Sequence, residues 1–247
     1  MMTDTTKEAA LAQRLRDCLT PAEREISDAA GYGKRIGFGS RPAVLIVDAT
    51  YSFCGREPKP ILESIAAQRR SCGEFAWETV DSTAALIAQA RAAGAPVIYS
   101  AMEDPASPEY EPGLWRAKNR RGVEDTGINP DPQKGENQIV KELAPRPGEM
   151  VFSKNKPSLF FGTGLLPYLI AHRIDSLIVC GGTSSGCIYA TAVDGFSHNF
   201  KVAVVADATF DRIQTAHWVF LADIDMKYGD VTTADAAIGH LKTVSMK

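Results

Sequence analysis

Three short segments of the 247-residue chain each end in a side chain that can do chemistry. The run AVLIVD closes on Asp48, EMVFSK closes on Lys154, and GGTSSGC delivers Cys187 after a turn rich in glycine and serine. Taken singly, each has a plain structural explanation: a helix cap or loop ion pair for Asp48, a solvated charge for Lys154, a small core residue for Cys187. Reactive cysteines need a defined microenvironment, and here the three residue types complement one another. A thiol at a helix start feels the positive end of the helix dipole, which favours thiolate. A neighbouring ammonium acts in the same direction. A carboxylate within hydrogen-bond reach can take the thiol proton and return it to a leaving amine. Backbone N–H groups of a glycine-rich turn can face a developing oxyanion. Together these parts describe acyl transfer through a thioester.

That chemistry requires the three residues to converge, and the order of elements predicts that they do. Strands are expected over 43–48, 96–101, 149–154, 175–182 and 201–209, each a short apolar run. Helical patterns lie between and after them: 61–93, interrupted near SCGE and stopped by Gly94; FGTGLLPYLIAHR; GCIYATAVDGFSHNF; QTAHWVFLADIDMKYG; and TADAAIGHLKT. Alternating strands and helices imply crossover connections and a mainly parallel sheet covered on both faces. The expected fold class is therefore α/β: a single three-layer, Rossmann-like domain with a central sheet flanked by helices. In open sheets of this kind the ligand crevice lies beyond the carboxyl ends of the strands. Those ends carry Asp48, Lys154, Gly181–Gly182 and Asp207. Residues 7–30 read as one or two helices, with Pro21 suited to the first turn of the second. The domain organisation is thus a helical extension over 1–30 and one domain over 31–247. Residues 103–137, rich in Pro, Gly and charge, read as a long loop, which in a compact domain is more often functional than idle.

Composition excludes several other functions. Hydrophobic content is 45%, charged content 23% and net charge −3, all ordinary for a globular protein. No basic stretch interleaved with aromatics points to nucleic acid. The apolar runs are strand-sized, far short of the roughly 20 residues that span a bilayer. The N-terminal segment is polar and lacks the apolar core of a signal peptide, so the expected location is the cytoplasm. The 5 cysteines are widely spaced and read as free thiols. The 4 histidines are scattered, and neither CxxC nor HExxH occurs, so neither a metal nor another cofactor is expected.

The blocks PAVLIVDATYSF, VFSKNKPSLFFGTGL and IVCGGTSSGCIYATAVDGFSHNFKVAVVADAT resemble the isochorismatase-like cysteine hydrolase superfamily. The segments KRIGFGSRPAVLIVD, TSSGC and LADIDMKYGDV resemble most closely its N-carbamoylsarcosine amidase branch, over roughly residues 31–240. The resemblance implies a catalytic triad of Asp48, Lys154 and Cys187. Lys154 takes the lysine position, with three residues between it and Ser158-Leu159-Phe160; Lys156, a local competitor, has the wrong spacing to Ser158. It also implies a cis peptide bond at Gly182–Thr183 and an oxyanion hole made by the Thr183 and Cys187 amides. Family members that cleave the isochorismate vinyl ether lack the cysteine. Nicotinamidases carry an Asp-x-His-x-x-His metal site where this chain has YSAMEDPASPEYEPG, without histidine. The implied activity is hydrolysis of a terminal amide or ureido C–N bond in a small N-carbamoyl amino acid or related carboxamide. Maleamate-, biuret- or ureidoacrylate-type hydrolysis, or a noncatalytic binding subunit, are the alternatives. A homotetramer is implied as well.

The substrate has to be read from the loops around the crevice. A carboxylate-bearing substrate wants a guanidinium fork, and Arg212 and Arg116 are the candidates. Phe53 and Trp115 are candidate pocket walls, and Ser184 a candidate hydrogen-bond partner for the leaving amine. Cys54 lacks an activating turn, Cys180 reads as core, and His217 reads as a packing or capping residue. Asp223 and Asp225 read as structural or interfacial.

Overall fold

The computed structural model describes residues 4–102, 118 and 135–246, so candidates Trp115 and Arg116 lie outside the described residues. Six strands form one sheet: β1 (Pro42–Val47), β2 (Val97–Met102), β3 (Met150–Lys154), β4 (Ser176–Gly182), β5 (Lys201–Phe210) and β6 (Asp230–Thr232). They lie in the order β3-β2-β1-β4-β5-β6, and every neighbouring pair is parallel. The strand order reverses between β1 and β4, which is where a crevice opens in such sheets. The carboxyl ends of those two strands are Val47 and Gly182, directly before Asp48 and Thr183.

The helices among the described residues include α1 (Asp4–Arg16), α2 (Pro21–Ala30), α3 (Tyr51–Cys54), α4 (Ile61–Ala67), α5 (Glu74–Trp77), α6 (Val80–Ala93), α7 (Leu165–Ala171), α8 (Tyr189–Ser197), α9 (Gln214–Lys227) and α10 (Ala234–Leu241). Their limits follow local chemistry. Thr20 and Glu23 form a capping box at the start of α2, Pro21 fills its first turn, and Gly31 ends it in the left-handed region. Gly94 ends α6 in the same way.

All six residues of β1 are buried, which explains its unbroken apolar run. Val44 and Ile46 face one core with Leu86, Ile87 and Ala90 of α6 and Ala237 and Leu241 of α10. Ala43, Leu45 and Val47 face the other, with Leu165 and Leu169 of α7, Ala192 of α8 and Leu221 of α9. These two cores make the three layers expected from the sequence.

Two details differ from the expectation. Strand β5 extends to Phe210 and bulges: Val179 of β4 pairs with Val204, but Gly181 two residues on pairs with Thr209. Asp207 falls inside this bulge rather than at the strand end, and its carboxylate accepts the Ala234 amide at 2.7 Å, capping the start of α10. The true end of β5 leads into Asp211 and Arg212. Strand β6, three residues long, is too short to have left a periodic signal.

Residues of the N-terminal helices dock on the same body. Leu15 is buried in the second core. Glu8 accepts the Thr233 amide and hydroxyl, both at 2.7 Å, at the start of α10. Lys7 forms an ion pair with Asp235.

Candidate active site

Asp48 stands one residue beyond β1 with φ of +50°, in the left-handed region. That conformation costs an L-residue about 1–2 kcal/mol, and such outliers cluster at functional sites. Neighbouring β2 holds the residue in place. The Asp48 amide donates to the Ser100 carbonyl and hydroxyl oxygens, both at 3.2 Å. The Ser100 hydroxyl in turn donates to Asp48 Oδ1 at 2.8 Å. Ser100 pairs in register with Val47. It escaped the sequence reading, although a serine near the end of a buried strand was a signal.

Lys154 is the last residue of edge strand β3 and only 2% exposed. Its Nζ lies 2.7 Å from Asp48 Oδ2, 3.3 Å from Cys187 Sγ and 3.2 Å from the Lys156 carbonyl oxygen. Its Nζ also lies 3.9 Å from Met102 Sδ, so the ammonium is enclosed by an ion pair with Asp48 and by one oxygen and two sulfur acceptors. Lys156, the competitor in sequence, thus contributes its backbone to the site. Burial works against the Lys154 charge, but Asp48 and Cys187 outweigh it and hold the ammonium above its ordinary range.

Cys187 lies in a π-type turn, Ser184–Ile188, that runs into α8. The turn closes on the Thr183 carbonyl, which accepts the Gly186 amide at 2.9 Å and the Ile188 amide at 3.1 Å. The thiol is not the stabilised thiolate expected from a helix start. Burial, reinforced by the Asp48 charge and only partly offset by Lys154, pushes it up to about 12. Desolvation disfavours the charged form more than the dipole and the ammonium favour it.

Two glycines bring the turn close to its neighbours. Gly181 has φ of +106°, and a Cβ there would sit 2.1 Å from the Val47 carbonyl oxygen. A Cβ on Gly182 would sit 2.1 Å from the Phe210 ring. The Gly182–Thr183 peptide bond is cis, as the resemblance implied.

Behind the turn, Ser184 is fully buried. Its hydroxyl contacts Asp211 Oδ2 at 3.1 Å and His217 Nδ1 at 3.0 Å. The hydroxyl is therefore engaged within the protein by both of these neighbours. His217, read from sequence as packing, is buried and held neutral, its pKa lowered to about 4 by loss of solvent. Arg212 carries its guanidinium carbon 5.4 Å from the Phe53 ring centroid. Its Nε and Nη2 are buried and have no hydrogen-bond partner among the described residues. Cys54 and Cys180 are buried, with their thiols pushed up by desolvation. Asp223 accepts the Tyr189 hydroxyl and Asp225 accepts the Val231 amide, both at 2.8 Å. Among the described residues no three His, Cys, Asp or Glu side chains are grouped to hold a metal ion. No helix among them is long and apolar enough to cross a membrane.

The fold and the site define a class: a parallel α/β protein that gathers a carboxylate, an ammonium and a thiol at its topological switch point. Residues 42–236 match the isochorismatase domain, and the chain belongs to the isochorismatase-like hydrolase family. It is 32% identical to maleamate amidohydrolase of Pseudomonas putida over 211 residues, covering 85% of this chain and 92% of that protein. It is also 32% identical to N-carbamoylsarcosine amidase of an Arthrobacter species over 243 residues, covering 95% of this chain and 83% of that protein. A crystal structure of a cysteine hydrolase from Pseudomonas syringae superposes with a TM-score of 0.68 at 23% identity, covering 82% of this chain and 93% of that one.

Proposed function

We propose that this protein is a cysteine-dependent amidohydrolase that releases ammonia from the terminal amide or ureido group of a small N-carbamoyl amino acid or related carboxamide acid. The observation that carries this reading is the position of Lys154 Nζ, 2.7 Å from Asp48 and 3.3 Å from Cys187, with all three side chains buried. With the thiol raised to about 12, the nucleophile needs a base at the moment of attack.

Asp48 takes the Cys187 proton as Sγ attacks the carbonyl carbon, and Lys154 balances the charge. The Thr183 and Cys187 amides hold the oxyanion. As the C–N bond breaks, Asp48 passes its proton to the departing nitrogen and ammonia leaves. Asp48 then deprotonates water, which attacks the thioester. The acid leaves, or a carbamate that loses carbon dioxide, and the proton returns to Cys187.

Arg212 supplies the substrate preference. Its two buried, unpartnered donors over Phe53 form a fork that suits a carboxylate. N-carbamoyl amino acids, maleamate and ureidoacrylate all carry one. Biuret does not, and would leave that fork empty. A homotetramer belongs to the same reading.

The test is an ammonia-release screen over small carbamoyl acids and amides, with Cys187→Ala and Cys187→Ser as controls. Both substitutions should abolish release while leaving the circular dichroism spectrum unchanged. Retained release in either protein overturns the mechanism. A wild-type protein that binds these acids and releases no ammonia is instead a noncatalytic binding subunit.

A further inference from the structure

The carboxylate of Asp211 is 3% exposed and accepts four hydrogen bonds. Oδ2 takes the Ser185 amide at 2.8 Å, the Ser185 hydroxyl at 2.6 Å and the Ser184 hydroxyl at 3.1 Å. Oδ1 takes the Arg212 amide at 2.7 Å. One side chain therefore grips the turn that carries Cys187 and, with its other oxygen, the backbone of the arginine that carries the unpartnered fork. The Ser184 hydroxyl has one proton. If it went to His217, two oxygens would face each other at 3.1 Å with no proton between them. The proton therefore goes to Asp211, and His217 Nδ1–H donates to Ser184. The chain runs from His217 on α9 through Ser184 to Asp211.

We propose that Asp211 is a positioning residue that sets the distance between Cys187 and Arg212, with His217 and Ser184 orienting it, and so couples attack to recognition of the substrate carboxylate. This inference rests on the amidohydrolase reading for its substrate class but not for its test. A residue that merely stabilised the turn would weaken attack on every substrate alike. A residue that sets a distance weakens attack most where both ends of the substrate must be held. Charge-assisted hydrogen bonds of the kind Arg212 offers are strong enough to give about tenfold discrimination when aligned.

The experiment compares alkylation of Cys187 by 4-bromobut-2-enoate and by its carboxamide, followed by peptide mass spectrometry. In both reagents the charged or neutral end lies three bonds from the carbon attacked, as in maleamate and N-carbamoylsarcosine. In the wild-type protein the acid should outpace the amide relative to a free thiol. Asp211→Asn should reduce that preference by at least about tenfold, Arg212→Met should do the same, and the double variant should lose little more. An unchanged preference in Asp211→Asn, or losses that multiply in the double variant, overturns the proposal. Should Asp211→Asn fail to fold, Ser184→Ala and His217→Phe provide the same comparison, with smaller losses of preference expected and an unchanged preference in both equally fatal. Absence of ammonia release from the wild-type protein would defeat the amidohydrolase reading and leave this alkylation result standing on its own.

Discussion

Lys154 Nζ pairs with Asp48 Oδ2 and lies within reach of the Lys156 carbonyl, Cys187 Sγ and Met102 Sδ, among side chains almost wholly buried. Removing one partner of a buried ion pair leaves an uncompensated charge, at about 3–5 kcal/mol. Asp48→Asn is therefore expected to lower stability by about that amount and to abolish ammonia release. Cys187→Ser, which keeps the ion pair, should unfold within about 1 kcal/mol of the wild type. Urea denaturation of both variants checks the contrast, and equal stabilities would show that the charges are better solvated than their burial indicates. The types and strand-end placement of these residues were readable in sequence, because apolar runs ending in Asp48 and Lys154 mark where buried strands surface. The ionisation state was not. Dipole and ammonium both suggested thiolate, and only the extent of burial showed that desolvation prevails.

At the scale of elements, the turn between β4 and α8 brings the nucleophile up to β1. Gly181 permits it twice over, through its positive φ and through its approach to the Val47 carbonyl. Gly181→Ala is expected to cost roughly 2–4 kcal/mol, from backbone strain plus a steric clash with main chain that cannot move aside. Thermal unfolding would measure it, and a loss under about 0.5 kcal/mol, the range of a neutral surface change, would mean that β1 and β4 can separate. The glycine-serine run announced this turn, as Pro21 announced the first turn of α2. The end of β5 was not announced. Residues 201–209 read as a plain strand, and its bulge shows only in the pairing with β4. Asp211 went unnoticed for that reason.

Over the whole molecule, the Asp211–Ser184–His217 chain ties α9 to the turn before α8, and α9 also supports the N-terminal helices. Ser27 Oγ lies 3.5 Å from Met226 Sδ, and the Gly33 amide donates to the Met226 carbonyl at 3.1 Å. His217 has its pKa lowered from 6.5 to about 4 by burial, so the unfolded chain binds its proton first as pH falls. Its contribution is fully present above about pH 6.5 and is lost as pH falls through about 4, amounting to at most about 3 kcal/mol. Denaturation midpoints should therefore decline across that window, and His217→Gln should flatten the decline. A decline of the same size in His217→Gln would assign the acid sensitivity to carboxylates instead.

By itself the sequence determined the order of the first five strands and the long helices, the parallel three-layer class and the three residues that meet at the site. Those properties follow from local periodicity, from glycine and proline at element ends, and from the rule that parallel strands point their carboxyl ends one way. Tertiary structure alone decided which neighbours those residues have. Ser100 reaches Asp48 because β1 and β2 are in register, Lys156 contributes a carbonyl rather than an ammonium, and Asp211 replaces Asp207 because β5 bulges. Contacts between residues far apart in sequence leave no local pattern, and the opening GGTSSGC acquired its meaning only once Asp211 was seen to hold its serines.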